Sequence, residues 1–112
     1  MASARAMLER RRSSRVLIHI PVQVFVNGSR GQSLDTPAEA IAVSRFGALL
    51  RASFSPELGS RIEVLNRISQ ETQEFRVVRV QGASDGGFEL GIEILYPARN
   101  FWHVRFPDDR SA

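Results

Sequence analysis

The alternation of apolar and polar residues over positions 16–26 constrains the fold of this chain most strongly. Every second position carries a β-branched aliphatic residue, which is the period of a strand that buries one face. Pro21 falls on the opposite face, and because proline has no N–H to donate to a ladder, it predicts an edge position or a bulge there. The apolar positions are Val16, Ile18, Ile20, Val22, Val24 and Val26.

Turn signals divide the rest of the chain into short strand-like runs. The polar stretch 27–37 contains Asn-Gly and Ser-rich turn chemistry and is interpreted as a loop. In the fifth run Val77 lies on one face and Val78 on the other, so both registers carry apolar residues. Six strands with little helix between them predict an all-β fold, an antiparallel barrel or a sandwich. The later strands are predicted at residues 38–43, 48–53, 61–66, 74–81 and 88–95.

Length and composition indicate one globular domain. A chain of 112 residues can bury one modest core, and 43% hydrophobic with 24% charged residues is ordinary for a soluble protein. The absence of cysteine excludes disulfides, thiolate metal sites and thiol nucleophiles, and it fits a reducing compartment. No apolar run approaches the roughly 20 residues of a membrane helix. We therefore expect a cytoplasmic protein that makes no membrane contact.

Positive charge is concentrated at the N-terminus. All fifteen basic residues are arginine. Residues 1–15 hold five arginines against one glutamate, a net of +4, whereas the remainder holds ten arginines against eleven acids, a net of −1. The body of the domain therefore lacks the broad basic face that duplex nucleic acid requires, which makes nucleic acid an unfavoured partner.

Two short motifs stand out against this scaffold. Arg11 and Arg15 form an Arg-x-x-x-Arg spacing directly before the first strand, and Ser44 and Gly47 form a Ser-x-x-Gly turn between the second and third. Their order and separation resemble the PilZ family of cyclic di-GMP receptor domains, over roughly residues 9–96. Three strand stretches extend the similarity: residues 20–22, 74–80 and 91–94.

The resemblance implies a domain organisation. It places a six-stranded antiparallel β-barrel over residues 9–107, with an aromatic C-terminal segment. A flexible or short helical segment is expected at residues 1–8, and a polar tail at 108–112.

The resemblance also implies a ligand site, in which the arginine run and the turn close around an intercalated dimer of cyclic di-GMP. Arg11 and Arg15 would clamp phosphates and guanine edges, with Arg10 as a supporting cation. Ser44 and Gly47 would form the turn face of the site. The planar, permanently charged guanidinium suits this task, because it can bond a phosphate or the O6/N7 edge of guanine with two parallel hydrogen bonds.

The chain departs from the family pattern at Ala42, where Asp or Asn opens the turn in PilZ domains. A methyl group cannot accept hydrogen bonds from guanine N1 and N2, so a contact of roughly 1–3 kcal/mol is missing. The chain could bind weakly, compensate with Arg45 or Arg10, or have lost the ligand.

The resulting functional hypothesis is a cyclic di-GMP sensor that orders its arginine segment on binding and relays the signal to a downstream protein of unknown identity. The main alternative is a degenerate PilZ-like adaptor that acts through protein contacts alone. A third reading, a small nucleic-acid-binding barrel, ranks lowest because only the N-terminal segment is basic.

No residue pattern indicates catalysis or a metal site. His19 and His103 are the only histidines, and neither has the spacing of a metal ligand or a catalytic triad, so both are interpreted as surface residues. The aromatic residues Phe101, Trp102 and Phe106 are expected to cover an open end of the barrel instead of stacking on a ligand.

Overall fold

A computed structural model describes residues 15–27, 33–96 and 100–106, and within these ranges the chain forms six strands and no helix. All six ladders are antiparallel, and the order β1-β2-β3-β6-β5-β4 closes into a barrel. The predicted antiparallel barrel is confirmed, and the sandwich alternative is wrong. The expected segments 1–8 and 108–112 lie outside the described residues. The strands are β1 (Val16–Asn27), β2 (Ser33–Val43), β3 (Gly47–Ala52), β4 (Arg61–Asn66), β5 (Glu71–Gly82) and β6 (Phe88–Ile94).

The first strand has the predicted core face. Val22 and Val24 are fully buried, whereas Leu17 on the opposite face is 84% exposed. Alternate residues of the other strands complete the barrel interior. They include Val43, Leu50, Ile62, Val64, Phe75, Val77, Leu90 and Ile92.

The backbone of β1 explains why Pro21 is tolerated. The β1–β4 ladder begins at Val22, one residue after the proline, and the Pro21 carbonyl accepts a hydrogen bond from Arg67 N on the β4 side. The missing N–H points to that same side, beyond the end of the ladder, so no ladder bond is lost. The β1–β2 register is also irregular between Leu17 and Ile20, just before Pro21, which agrees with the predicted edge or bulge.

The second strand is longer than predicted. Residues 33–37, interpreted as loop, belong to β2, with Leu34 opposite Val26 and Thr36 opposite Val24. The prediction was wrong there because pairing with a long neighbouring strand outweighs local turn propensity. The same effect starts β5 at Glu71, three residues before the predicted position.

The double register of β5 results from a β-bulge. Val77 pairs with Ile92 and Arg79 pairs with Gly91, so Val78 has no partner on β6. A bulge of this kind places two residues of one strand opposite one residue of the other and reverses the alternation. Val77 is therefore buried, while the Val78 side chain is 46% exposed.

The aromatic C-terminal segment packs into the core. Phe101 and Trp102 are 6% and 4% exposed, and their ring centroids lie 5.6 and 6.0 Å from that of Phe75. Asn66, the last residue of β4, donates from Nδ2 to the Phe101 carbonyl at 3.2 Å. These residues therefore act in packing, as expected.

The described ranges contain no helix with the length and apolar character that crossing a membrane would require.

Candidate functional site

The register of β1 and β2 brings the two sequence motifs together. Val16 lies directly opposite Val43, so Arg15 precedes one member of the pair and Ser44 follows the other. The two residues line a single cavity of about 590 Å³, together with Ala42 and Gly47. The structure thus assembles three of the predicted site residues, while Arg10 and Arg11 lie outside the described residues.

The cavity lies on the outer face of the barrel. Leu17, Ala42, Leu49 and Gly91 occupy successive opposite positions on β1, β2, β3 and β6, so their side chains share one face of the sheet. That face is the outer one, because Leu17 is exposed while the next residues on β2 and β3, Val43 and Leu50, are buried. The cavity is therefore a groove across strands, separate from the packed interior.

Hydrogen bonds hold the turn between β2 and β3 in place. Ser44 N donates to the Gly47 carbonyl at 2.9 Å, and Phe46 N donates to Ser44 Oγ at 3.3 Å. Ile94 N donates to the Phe46 carbonyl at 2.8 Å, which ties the turn to β6. The Ser44 hydroxyl still has its own hydrogen to donate towards a ligand, since Oγ acts as the acceptor in the turn.

Gly47 is required by the close approach of β6. A Cβ at this position would lie 2.0 Å from the carbonyl oxygen of Ile92, far inside van der Waals contact. A left-handed backbone is not the reason for this glycine, because among the described glycines only Gly59 and Gly86 have a positive φ. The turn is therefore pressed against β6, and the cavity extends over that strand.

Ala42 forms part of the apolar floor. It is 6% exposed and pairs with Leu17 and Leu49 on its two sides. An Asp or Asn here would present its side chain to the cavity from the same backbone position, whereas alanine offers no hydrogen-bonding group.

Six cavity residues from β5 and β6 were not predicted: Val78, Arg79, Gly91, Ile92, Glu93 and Ile94. The bulge places Val78 and Arg79 beside Gly91, where a Cβ would lie 3.0 Å from the Arg79 Cβ. Arg79 Nη2 donates to Gln81 Oε1 at 2.9 Å. No local sequence signal marks these residues, because the β3–β6 and β5–β6 registers decide which of them face the groove.

The charges and apolar surfaces of the cavity suit an anionic aromatic ligand. Its described lining holds two arginines, Arg15 and Arg79, and one carboxylate, Glu93. Phe46 is 43% exposed at the rim, and the Arg45 guanidinium lies 5.8 Å from the centroid of its ring. Cations can bind phosphates, and exposed apolar surface can pack against the faces of bases.

The histidines lie away from this cavity and are exposed, as predicted. The His19 side chain is 76% exposed and its Nδ1 lies 2.9 Å from Glu39 Oε2. The His103 side chain is 54% exposed, with Nε2 at 2.9 Å from Glu71 Oε1. In the part of the chain that the structure describes, no cluster of three or more His, Cys, Asp or Glu residues could hold a metal ion.

Comparison with known proteins identifies the family. No curated protein matches the chain. Among solved structures, it resembles the Bacillus subtilis inhibitor of motility MotI/DgrA, with a TM-score of 0.61 and 17% sequence identity. The similarity covers 80% of this chain and 44% of that chain, so it establishes the fold and spans less than half of the neighbour's length. The family model of the PilZ domain matches residues 9–100, most of the sequence, and the chain therefore belongs to the PilZ domain family.

Proposed function

We propose that this PilZ domain binds cyclic di-GMP in the outer-face cavity. The observation that carries the proposal is the meeting of Arg15 with the Ser44–Gly47 turn in one groove. A volume of about 590 Å³ is within the range of roughly 300–1,000 Å³ usual for small-molecule sites. Arg15 bonds a phosphate or a guanine edge, and the Ser44 hydroxyl donates to the ligand.

The arginines of the N-terminal segment before β1 complete this proposed site. Arg11 is assigned as the second clamp of the Arg-x-x-x-Arg pair, and Arg10 as a supporting cation. This segment has few apolar residues with which to pack against the barrel, so contacts between its arginines and the ligand phosphates have to order it. Binding then orders the arginine segment against the barrel. The free energy for this change comes from the contacts that the ligand makes with the ordered segment and does not make when the segment is away from the barrel.

The proposed output is a changed surface presented to a partner protein in the cytoplasm. PilZ domains are binding and adaptor domains, and the proposal assigns no catalytic step to this chain. The solved neighbour MotI/DgrA is named as an inhibitor of motility, which supports a regulatory output for a domain of this fold. The similarity covers only 44% of that neighbour, so it identifies no partner for this chain.

A second candidate function is an adaptor that no longer binds the nucleotide. Ala42 favours it, since an apolar and almost fully buried residue stands where the family motif carries an acceptor. In that case the groove would serve protein contact alone.

Calorimetric titration of the full chain with cyclic di-GMP tests the receptor proposal. We expect saturable binding, and a loss of about tenfold or more for Arg15→Ala, because hydrogen bonds to charged groups contribute roughly 1.5–3 kcal/mol. Arg67→Ala is the matched control, since this exposed arginine on the β4–β5 turn does not line the cavity. Absence of saturation up to high micromolar ligand would contradict the proposal, and equal losses in both variants would indicate nonspecific charge attraction.

A further inference from the structure

Glu93 is the only carboxylate among the described residues that line the cavity. It lies on β6 directly opposite Gly47, and it shares the outer face with Gly91 because Ile92 between them points into the core. Gly47 has no side chain, so Glu93 has no side-chain neighbour on β3 at this position. Its carboxylate is therefore open to the groove beside the turn.

Among the described residues, no ion pair or hydrogen bond neutralises the charge of the Glu93 carboxylate. Arg76 stands opposite Glu93 on β5, yet the two form no ion pair within 4.0 Å. Within the described part of the chain, the Glu93 carboxylate accepts no side-chain or backbone hydrogen bond either. A carboxylate that has no partner among the described residues, beside a proposed site for an anionic ligand, would repel the phosphates unless it contributes a contact of its own.

Guanine supplies such a contact. Its N1–H and N2–H₂ groups form a donor pair that a carboxylate accepts with two parallel hydrogen bonds. Arginine has no acceptor, so neither Arg45 nor Arg10 can replace the acceptor that is missing at Ala42. We infer that Glu93 accepts these hydrogen bonds from a guanine base and is the residue that makes this cavity selective for guanine. The inference rests on the proposed function. It assigns guanine recognition to Glu93 on β6 instead of to position 42 on β2.

The strand spacing sets the geometry of this assignment. Ala42 and Gly91 are separated by β3, hence by two strand spacings of about 4.8 Å, and Glu93 lies one further same-face position along β6. The two residues are thus on the order of 10 Å apart, and Glu93 reads a base edge on the β3–β6 side of the groove. Ser44 and Arg15 remain at the β1–β2 side, where they reach the phosphates.

The test compares cyclic di-GMP with cyclic di-IMP, whose hypoxanthine bases lack the N2 amino group. In calorimetric titrations the wild type should prefer cyclic di-GMP. Glu93→Gln, which replaces one acceptor oxygen with an amide donor, should lose roughly tenfold to hundredfold in affinity for cyclic di-GMP and most of the preference over cyclic di-IMP. Glu89→Gln is the control, because it removes the same charge from the same face of β6 outside the cavity.

The sign of the effect decides the inference. If Glu93 only repels the phosphates, Glu93→Gln will bind more tightly, and the inference is overturned. Unchanged affinity and unchanged base preference also overturn it, while a loss in Arg15→Ala in the same experiment would leave the proposed function standing. A wild-type chain that binds neither dinucleotide would contradict both the proposed cyclic di-GMP binding and the role of Glu93. Fluorescence of the single Trp102, which is 4% exposed, verifies that each variant is folded.

Discussion

Val16 of β1 lies directly opposite Val43 of β2, and this pair places Arg15 and Ser44 at the same end of the β1–β2 ladder. Both valines point into the barrel, where Val43 is 1% exposed. A register shift of one residue would turn the apolar face of β1 towards water, so burial of these valines opposes any such slip. The core of the barrel thus determines the geometry of the groove on its surface.

Restoring the acceptor at position 42 separates a weakened receptor from an adaptor. Ala42→Asp should raise the affinity for cyclic di-GMP roughly tenfold to hundredfold, because it adds a guanine contact of about 1–3 kcal/mol. Calorimetric titration measures the change. Ala83→Asp serves as the control, because it makes the same substitution at a half-buried alanine after β5 that does not line the cavity. If the Ala42→Asp variant shows no binding of cyclic di-GMP, the result would support the adaptor function instead.

Gly47 should tolerate no side chain. In Gly47→Ala the new Cβ would meet the Ile92 carbonyl oxygen at 2.0 Å, so β3 and β6 must separate locally. We expect a loss of at least about 2 kcal/mol in the free energy of unfolding, at the upper part of the range for overpacking. Gly82→Ala is the matched control on β5, where a Cβ meets nothing within 4 Å. Urea unfolding followed by Trp102 fluorescence measures both, and equal stability of the two variants would contradict the steric argument.

Asn66 should be a strong contributor to stability. It is 2% exposed, its Oδ1 accepts from Ile68 N at 2.9 Å and from Ser69 N at 3.3 Å, and its Nδ2 donates to the Phe101 carbonyl. Asn66→Ala leaves these backbone groups without a partner, which costs about 1–3 kcal/mol per buried group that water cannot reach. Chemical denaturation measures the loss.

A second variant at the same position separates the two roles of the Asn66 side chain. Asn66→Asp keeps the acceptor and removes the donor, so at neutral pH it should bury a charge beside the Phe101 carbonyl and unfold at a lower denaturant concentration than the wild type. Wild-type stability in both variants would show that this buried network contributes little.

Asp85 should stabilise the β5–β6 turn in a pH-dependent way. The Gly87 N–H, which donates to Asp85 Oδ1 at 3.0 Å, lowers the pKa of this carboxyl, and the Arg51 guanidinium at 4.0 Å adds to the shift. A lowered folded-state pKa means that the contribution is present above the unfolded pKa of about 3.9 and is lost as the pH falls through the folded value.

Two measurements check this prediction. An NMR titration should give Asp85 a pKa below that of an aspartate in a peptide. The stability difference between the wild type and Asp85→Asn should shrink between about pH 5 and pH 2, because both chains are then neutral at this position. A stability difference that stays constant over this range would show that the turn does not depend on the ionised carboxylate.

Local periodicity determined a large part of this fold. The alternation in residues 16–26 predicted which face of β1 is buried, and the bounds of β4 agree with the prediction, because these strands carry one clear apolar face each. Residues 33–37 were misassigned, since Pro37 and the polar residues before it join β2 only through cross-strand bonds to β1. That Arg15, Ser44 and Gly47 come together could be predicted because they belong to two recognisable motifs, and all three line the cavity.

What the sequence by itself determined is the number of strands, the core faces of β1 and β4, and the two motifs that point to a PilZ domain. The tertiary structure decided which strands neighbour each other and in what register. The pairing of Gly47 with Glu93 joins residues from opposite halves of the chain, and the bulge at Val78 sets which β5 side chains lie beside them. Local propensity acts over a few residues, whereas a groove on the outside of a closed sheet is built from long-range ladders.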